Sequence, residues 1–198
     1  DVFKKTISQK TQKETLKKYS LPNNFLLYVG KIEERKNLLT ILKVLKKLKT
    51  QKLVVIGDGN KYKKMCLKYI NNNNLHNNVT ILSNIPSNEI ASIYKNAEIL
   101  IYPSIFEGFG IPIIEALYSK VPVITTKKGC FKEAGGPKTK YINPNSINEL
   151  ENAILEIQQS SKIKEEMKNI GFKYVQKFND EKIAKNLIKI YSELYEKN

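Results

Sequence analysis

Two glutamates, Glu107 and Glu115, are the residues of this chain whose types and spacing point most directly to chemistry. They lie eight positions apart in the segment YPSIFEGFGIPIIEAL. The two glycines between them leave backbone N–H groups uncovered just before a helix that we expect to begin at about Ile111–Pro112. Exposed amides and the positive end of a helix dipole together form an anion site. The segment therefore predicts an anion held beside two carboxylates.

Lysines at the end of an earlier apolar run supply candidate positive charges for that anion. Lys31 follows the run FLLYVG, and Lys36 lies five residues further on, at the start of an amphipathic helical pattern. Two ammonium groups and one set of amides suit a diphosphate. Glu115, in the first turn of its helix, can accept hydrogen bonds from a vicinal diol such as a ribose. Glu107 would then reach the hydroxyls of the group on the diphosphate, and the whole set describes a nucleotide sugar.

Each of these residues also has an ordinary structural interpretation. Lys31 and Lys36 are two lysines in a lysine-rich chain and suit an exposed surface equally well. A carboxylate such as Glu115 near a helix start compensates the dipole, which contributes about 0.3–1 kcal/mol. Glu107 is harder to explain in this way, because it precedes the loop and not the helix.

The elements that must position these residues alternate between strand and helix. Strands are predicted in the following segments: FLLYVG, KLVVIGDG, VTIL, EILIYPS, VPVITT and a short edge strand in KYINP. Their near-continuous apolar runs indicate strands covered on both faces, as in a parallel sheet. We therefore predict an α/β fold: a Rossmann-like, doubly wound, mainly parallel six-stranded sheet with helices on both faces and a helical C-terminal tail. Ligands of such sheets bind at the carboxyl ends of the strands, where the loops named above lie.

Several other chemistries are disfavoured by the same residues. The GDG after the second strand lacks the third glycine of a dinucleotide fingerprint, because Tyr62 stands there. One histidine, His76, and the absence of a D-x-D motif argue against a metal site. There is no G-x-S-x-G for a serine nucleophile. A glycoside hydrolase needs two carboxylates as an acid–base couple, and one of this pair is assigned to a ribose.

The composition is that of a globular protein with a strongly basic surface. The 198 residues carry a formal charge of +15, and Arg35 is the one arginine among 34 basic residues. Lysines spread among asparagines favour a solvated coat; a nucleic acid or an anionic membrane surface is the alternative partner. No signal-peptide pattern is present, and Cys66 and Cys130 form no C-x-x-C. We expect a cytoplasmic protein, with peripheral contact to the inner face of a membrane left open.

The motifs together resemble the donor-binding, C-terminal half of retaining glycosyltransferases of family 4 (glycosyl transferases group 1), which have the GT-B fold. The similarity rests on the G-K-x4-K-N at Gly30–Asn37, on VVIGDG, on PVITT, and above all on the E-x7-E formed by Glu107 and Glu115. It covers about residues 21–195. The resemblance implies metal-independent transfer of a hexosyl group, with retention, from a nucleoside-diphosphate sugar to a glycan or a lipid-linked saccharide, with no cofactor.

The resemblance also implies roles for individual residues. Lys31, at a position where the family usually has arginine, and Lys36 would neutralise the diphosphate, and Glu107 would contact the donor sugar. Glu115 would hold the ribose, and the backbone around Leu82–Asn84 would border the base. The residues predicted to bind the donor are Gly30, Lys31, Lys36, Leu82, Ser83, Asn84, Glu107, Gly108, Phe109, Gly110, Ile111 and Glu115. Glu107, Lys31 and Lys36 are also predicted to act in catalysis.

The predicted organisation has three parts. Residues 1–20 form a lead-in or linker, residues 21–160 the donor-binding domain, and residues 161–198 helices that pack on it. Enzymes of this fold have two halves, so we expect a missing N-terminal acceptor domain or a partner subunit. The last helix would brace that missing half. We therefore expect little activity from this chain alone. The alternatives are a nucleotide-sugar epimerase or phosphorylase on the same fold, or a polyanion-binding module. We expect no nucleic-acid partner.

Overall fold

The computed structural model describes residues 2–195, and in them six strands form one sheet in the order β3-β2-β1-β4-β5-β6. The strands are β1 (Leu26–Val29), β2 (Leu53–Ile56), β3 (Val79–Leu82), β4 (Ile99–Tyr102), β5 (Val123–Thr126) and β6 (Lys140–Ile142). All neighbouring pairs are parallel. The predicted α/β fold with a doubly wound parallel sheet is confirmed. Successive strands are added on one side of β1 up to β3 and on its other side from β4 onward, and such sheets bind ligands at this switch in strand order.

Helices cover both faces of the sheet. They are α1 (Gln9–Lys18), α2 (Leu38–Lys47), α3 (Lys61–Asn72), α4 (Ser87–Asn96), α5 (Ile111–Tyr118), α6 (Phe131–Gly135), α7 (Ile147–Gln159), α8 (Ser161–Val175) and α9 (Asp180–Tyr195), with short 3-10 turns at Val2–Lys4, Glu34–Lys36 and Gln176–Phe178. Side chains of β1 alternate between two cores. Leu26 and Tyr28 pack with α2 and α7, whereas Leu27 packs with α4 and α5. The apolar runs of β1, β2, β4 and β5 are continuous because both faces of these central strands are buried, whereas the edge strands β3 and β6 are only partly buried.

The N-terminal segment packs on the domain more closely than was predicted. Residues 1–20 were expected to be a lead-in outside the core, yet α1 lies against α4 and buries Leu16. Lys18 also pairs with Glu89 of α4 at 2.7 Å. The apolar signal is weak because α1 buries only two side chains, Thr15 and Leu16, and exposes its lysines.

The C-terminal helices differ from one another in how they pack. Helix α8 lies against α5, and a Cβ on Gly171 would come within 2.7 Å of Leu117 Cδ2, so the two helices approach closely. Helix α9 projects instead, with Leu187, Ile188 and Tyr191 between 48% and 69% exposed. The predicted C-terminal segment ran to residue 198, and its last three residues lie outside the described range. No described helix has the length and apolar character needed to cross a bilayer.

The GDG turn after β2 brings two loops into close contact. A Cβ on Gly59 would lie 2.1 Å from the carbonyl oxygen of Ile32, and one on Gly57 would lie 2.0 Å from that of Gly30. Ile32 N also donates to Asp58 O at 2.7 Å. These glycines are therefore required by the approach of two backbones, which is a structural role.

Replacing Gly59 with alanine is expected to destabilise the domain by about 1–3 kcal/mol, because the added methyl group meets backbone that cannot rotate away. Urea unfolding followed by circular dichroism measures the change. Gly108→Ala is the matched control, because nothing lies within 4 Å of its added Cβ. Equal stability of the two variants would contradict the close approach.

Candidate functional site

The loop after β1 and the loop after β4 are bonded to each other at the carboxyl edge of the sheet. Ile105 N donates to Arg35 O at 2.7 Å, and Arg35 Nη1 donates to Phe106 O at 2.9 Å. Asn37, in a left-handed conformation at the start of α2, donates through Nδ2 to Pro144 O at 2.7 Å and so adds the loop after β6. Three loops that are distant in sequence are thus held in one arrangement.

Lys36 and Glu107 form a largely buried ion pair between these loops. Lys36 Nζ lies 3.0 Å from Glu107 Oε1, and the two side chains are only 10% and 11% exposed. The ammonium also donates to the Tyr102 hydroxyl at 2.9 Å. Lys36 is therefore not one of the surface lysines, which was the structural alternative for it. A charge held this deep at a sheet edge is expensive unless it is paired, and such groups mark candidate sites.

Gly30 makes room for the Lys36 side chain. Its φ is +139°, and a Cβ at this position would stand 3.0 Å from Lys36 Nζ and 3.2 Å from Cδ. Any other residue would compete with the ammonium for the same space. The predicted glycine–lysine segment is therefore a steric unit: the glycine closes β1 and the lysine folds back over it.

The two carboxylate oxygens of Glu107 have different surroundings. Oε1 accepts a hydrogen bond from Ser104 Oγ at 2.9 Å and lies 2.9 Å from Arg35 Nη1, in addition to its contact with Lys36. Ser104 is fixed in turn, because Thr126 Oγ1 donates to its carbonyl at 2.8 Å. Within residues 2–195, Oε2 accepts no hydrogen bond. One oxygen is thus anchored by the protein while the other remains available to a ligand.

The ionisation of Glu107 follows from these contacts. Burial of the carboxyl opposes ionisation, but the Arg35 guanidinium and the Lys36 ammonium outweigh it and lower the pKa of Glu107 below its ordinary value. Burial, followed by the nearby Glu107 carboxylate, raises the pKa of Tyr102. Glu107 is accordingly a carboxylate and Tyr102 a neutral phenol at neutral pH.

The backbone after Glu107 presents the predicted amides. Gly110 has a φ of +90° and caps α5, with Pro112 in the first turn. Gly108 and Phe109 are exposed. In the described part of the chain, the N–H groups of Gly108, Phe109 and Gly110 find no acceptor. Bare amides at a helix N-terminus, next to a buried Lys36, form an anion-binding corner.

Glu115 faces α4 and lies beyond the first turn of α5, not within it as was predicted, so compensation of the helix dipole does not explain it. The Tyr94 hydroxyl donates to its Oε2 at 2.9 Å, and the Phe3 ring packs edge-on against Tyr94 at 5.4 Å. Burial raises the pKa of Glu115 above its ordinary value, and the Tyr94 hydrogen bond only partly opposes the rise. Glu115 therefore binds its proton more tightly than a solvated glutamate. Its Oε1 accepts no hydrogen bond from any residue in the range 2–195.

Comparison with known proteins identifies the family of this site. The family model of glycosyl transferases group 1 matches residues 9–174, which include most of the chain and every residue of the site described in this subsection except Phe3. The chain belongs to the glycosyl transferases group 1 family. This family membership confirms the resemblance that was expected from the E-x7-E segment.

Individual relatives agree with the family assignment, and the chain matches a similar share of the length of each. An uncharacterized glycosyltransferase of Methanocaldococcus jannaschii is 30% identical over 86% of this chain and 48% of its own length. The O-antigen chain mannosyltransferase RfbU of Salmonella typhimurium is 32% identical over 80% of this chain and 42% of its own. The chain thus spans about half the length of the curated relatives it matches.

A solved structure shows the same fold at low sequence identity. The Anabaena Alr3699/HepE protein, crystallised in complex with UDP, superposes with a TM-score of 0.87 at 20% identity. The match covers 98% of this chain and 55% of that one. The described domain is thus one half of the GT-B architecture.

Two parts of the predicted donor site lie apart from the Glu107 cluster. Lys31 is at the same sheet edge, but its side chain is 68% exposed and its ammonium lies 3.9 Å from Glu33. Ser83 and Asn84 are exposed in the loop after β3, on the α4 side of the sheet, with Asn84 at a φ of +56°. The roles predicted for Lys31 and for the base loop stay predictions.

Sequence reasoning missed several members of the cluster. Arg35 and Ser104 both contact the Glu107 carboxylate, and Asn37 ties the loops together, yet none of the three was predicted as a site residue. The one available signal was composition: an arginine among 33 lysines, one position before Lys36. Asn37 closes the G-K-x4-K-N segment and Ser104 lies in the YPSIFEGFGIPIIEAL segment, but neither was given a role. Within residues 2–195, no group of three or more His, Cys, Asp or Glu side chains is arranged to hold a metal ion.

Proposed function

We propose that this chain is the donor-binding half of a retaining glycosyltransferase of family 4 that transfers a hexosyl group from a nucleoside-diphosphate sugar. The observation that carries the proposal is the buried Lys36–Glu107 pair next to the unpaired amides of the loop before α5. Such a corner can hold a diphosphate and a sugar hydroxyl at the same time. The family, shown by the match over residues 9–174, supports the reaction class.

Each group of the site then has a defined task. Lys36, Lys31 and the amides of Gly108–Ile111 would hold the diphosphate and stabilise the charge that develops on it as the bond to the sugar breaks. The free Oε2 of Glu107 would accept a hydroxyl of the donor sugar. We propose that the positive charge comes from these residues without a metal ion, and that the leaving phosphate helps to activate the acceptor.

The nucleoside would lie on the α4 and α5 side of the sheet. Glu115 would accept hydrogen bonds from the ribose hydroxyls, and the backbone of Leu82–Asn84 would border the base. Leu82 packs against the same apolar cluster as Tyr94, the residue that holds Glu115. The UDP complex of the Anabaena structure supports a nucleoside diphosphate as the ligand class.

The relatives support a saccharide acceptor and a hexose donor. RfbU and a second relative from Escherichia coli are O-antigen chain mannosyltransferases. We propose a glycan or lipid-linked saccharide as acceptor and a hexose such as mannose as the transferred group. The expected cytoplasmic location rests on the cysteine pattern, and the peripheral contact with an anionic membrane rests on the charge of +15; both stay predictions.

A further half or a partner subunit would complete the active site. The chain spans about half of its relatives, and α9 exposes the apolar side chains Leu187, Ile188 and Tyr191 along one helix. A surface of this kind marks a protein interface. We propose that α9 packs against the acceptor-binding half, so that the chain alone binds donors but transfers little.

A titration against nucleotides at several salt concentrations tests the proposal. We expect saturable binding of either uridine or guanosine diphosphate, tighter for one base, with a modest dependence on salt. A polyanion-binding module would instead bind DNA with steep salt dependence and no base preference. Isothermal titration calorimetry gives the affinity and its dependence on salt. Binding of DNA without binding of either nucleotide would contradict the donor site.

A further inference from the structure

Arg35 lies where the two central loops of the site meet. Its Nη1 donates to Phe106 O and stands 2.9 Å from Glu107 Oε1, while its Nη2 stands 2.7 Å from Glu33 Oε1. Its carbonyl oxygen accepts from Ile105 N at 2.7 Å. The backbone and the guanidinium of this one residue therefore both bind the loop after β4.

We propose that Arg35 is a positioning residue for Glu107: its guanidinium fixes one carboxylate oxygen so that the other faces the donor sugar. The inference deepens the proposed function and rests on it for the identity of the ligand. The positioning itself is visible in the contacts of the free protein.

The contacts of Arg35 require the planar, multi-donor shape of a guanidinium. Arginine presents several N–H donors in a planar fork, and Arg35 uses them on a carbonyl and on two carboxylates at once. A lysine ammonium is a point charge on a flexible stem and cannot span Glu33, Phe106 and Glu107 in one fixed geometry. In a chain whose other basic residues are lysines, this position alone has the fork.

Lys31 does not have the same geometry. It shares Glu33 with Arg35, but its ammonium lies 3.9 Å from Glu33 Oε2 and its side chain is 68% exposed, against 44% for Arg35. Lys36 contacts the same Oε1 of Glu107 from a buried position, where it also meets the Tyr102 hydroxyl. Glu107 is therefore held between a buried ammonium and a half-exposed guanidinium.

An exposed ion pair that merely links two loops is the competing explanation. Exposed pairs contribute little, and their loss leaves the partner solvated. Here the partner is 11% exposed and anchored by Ser104 as well, so loss of Arg35 removes a contact from a carboxylate that water reaches poorly. The two explanations differ in what happens to Glu107.

The test compares Arg35→Ala and Arg35→Lys with Lys47→Ala. Lys47 is a matched control, since its side chain is 47% exposed and pairs with Glu151 at 2.7 Å, far from the site. The first readout is the pKa of Glu107 by carbon-13 NMR of its carboxyl group, which needs no ligand. The second is the affinity for uridine and guanosine diphosphates, free and as hexose conjugates, at fixed ionic strength.

We expect Arg35→Ala to raise the pKa of Glu107, because a charge-assisted contact to this carboxylate is lost. The same change should weaken binding of the hexose conjugate about tenfold more than binding of the free nucleotide, because the carboxylate binds the sugar. Arg35→Lys keeps the positive charge, so we expect it to restore only part of the wild-type pKa of Glu107 and part of the wild-type affinity for the hexose conjugate. Lys47→Ala should change neither, and Lys31→Ala should shift the pKa of Glu107 less than Arg35→Ala does.

An unchanged pKa of Glu107 in Arg35→Ala, or an equal shift in Lys47→Ala, would overturn the inference. A wild-type chain that binds none of the nucleotides, while Arg35→Ala still shifts that pKa, would refute the proposed function and leave the positioning role supported. The failures of the two proposals are therefore distinguishable.

Discussion

Replacing Lys36 with methionine is expected to destabilise the domain by about 3 kcal/mol and to weaken nucleoside diphosphate binding at least tenfold. Removal of one partner of a buried pair typically costs about 3–5 kcal/mol, because the other charge is left uncompensated. The lower end is expected here, since Arg35 still lies 2.9 Å from Glu107. Binding weakens because charged hydrogen bonds to the diphosphate, about 1.5–3 kcal/mol each, are lost.

A second substitution separates these two effects. Lys36→Met combined with Glu107→Gln removes both charges, so we expect it to recover much of the lost stability and none of the lost binding. Lys47→Met is the control for losing an exposed lysine from the neighbouring helix. Chemical unfolding and calorimetry provide the two measurements. Nucleotide affinity that recovers together with stability would show that Lys36 acts only as a structural residue.

Replacing Glu115 with glutamine is expected to weaken nucleotide binding by about 1–3 kcal/mol, because a carboxylate that accepts two ribose hydroxyls becomes an amide with one acceptor. The same change should stabilise the free domain at neutral pH. Burial raises the folded-state pKa of Glu115 above that of the unfolded chain. The stability linked to this group is therefore present below the unfolded pKa and lost as the pH rises through the folded pKa.

The pH dependence of binding has the opposite sign from the stability effect. Nucleotide affinity should fall as the pH drops through the raised pKa of Glu115, and Glu115→Gln should remove that dependence. Glu89→Gln is the matched control in the first turn of α4: Lys18, followed by Tyr19, lowers the pKa of Glu89, so this change should lower stability at neutral pH. A Glu115→Gln variant with full affinity would exclude the ribose role.

The strands and most helices follow from local pattern. Five short apolar runs, two of them closed by glycine, and the KYINP segment predicted the six strands, because a strand buried on both faces needs apolar residues in succession. The amphipathic run in α2 and the Gly–Ile–Pro start of α5 were equally direct. Helix α6, which is five residues long, was not predicted, and α1 showed only a weak helical pattern because it buries just two side chains.

Some residues of the site could be predicted from their neighbours along the chain, whereas others are brought together by contacts between distant segments. Glu107, Glu115 and the glycine amides are neighbours along the chain, and residue type with spacing was sufficient to single them out. Lys36 was predicted from its place after β1, but only the fold excluded the surface-lysine alternative, because it placed the ammonium 2.9 Å from a tyrosine hydroxyl 66 positions away. Arg35 and Ser104 were not predicted at all.

The sequence by itself determined the sheet, the family motif and the loop that carries the carboxylates, because those depend on residues adjacent in the chain. Only the tertiary structure decided which cations meet Glu107, which of its oxygens is left for a ligand, and that Glu115 is held by Tyr94. The physical reason is that ion pairing depends on distance in space and on exclusion of water. Both arise when loops from different strands pack together at one edge of the sheet.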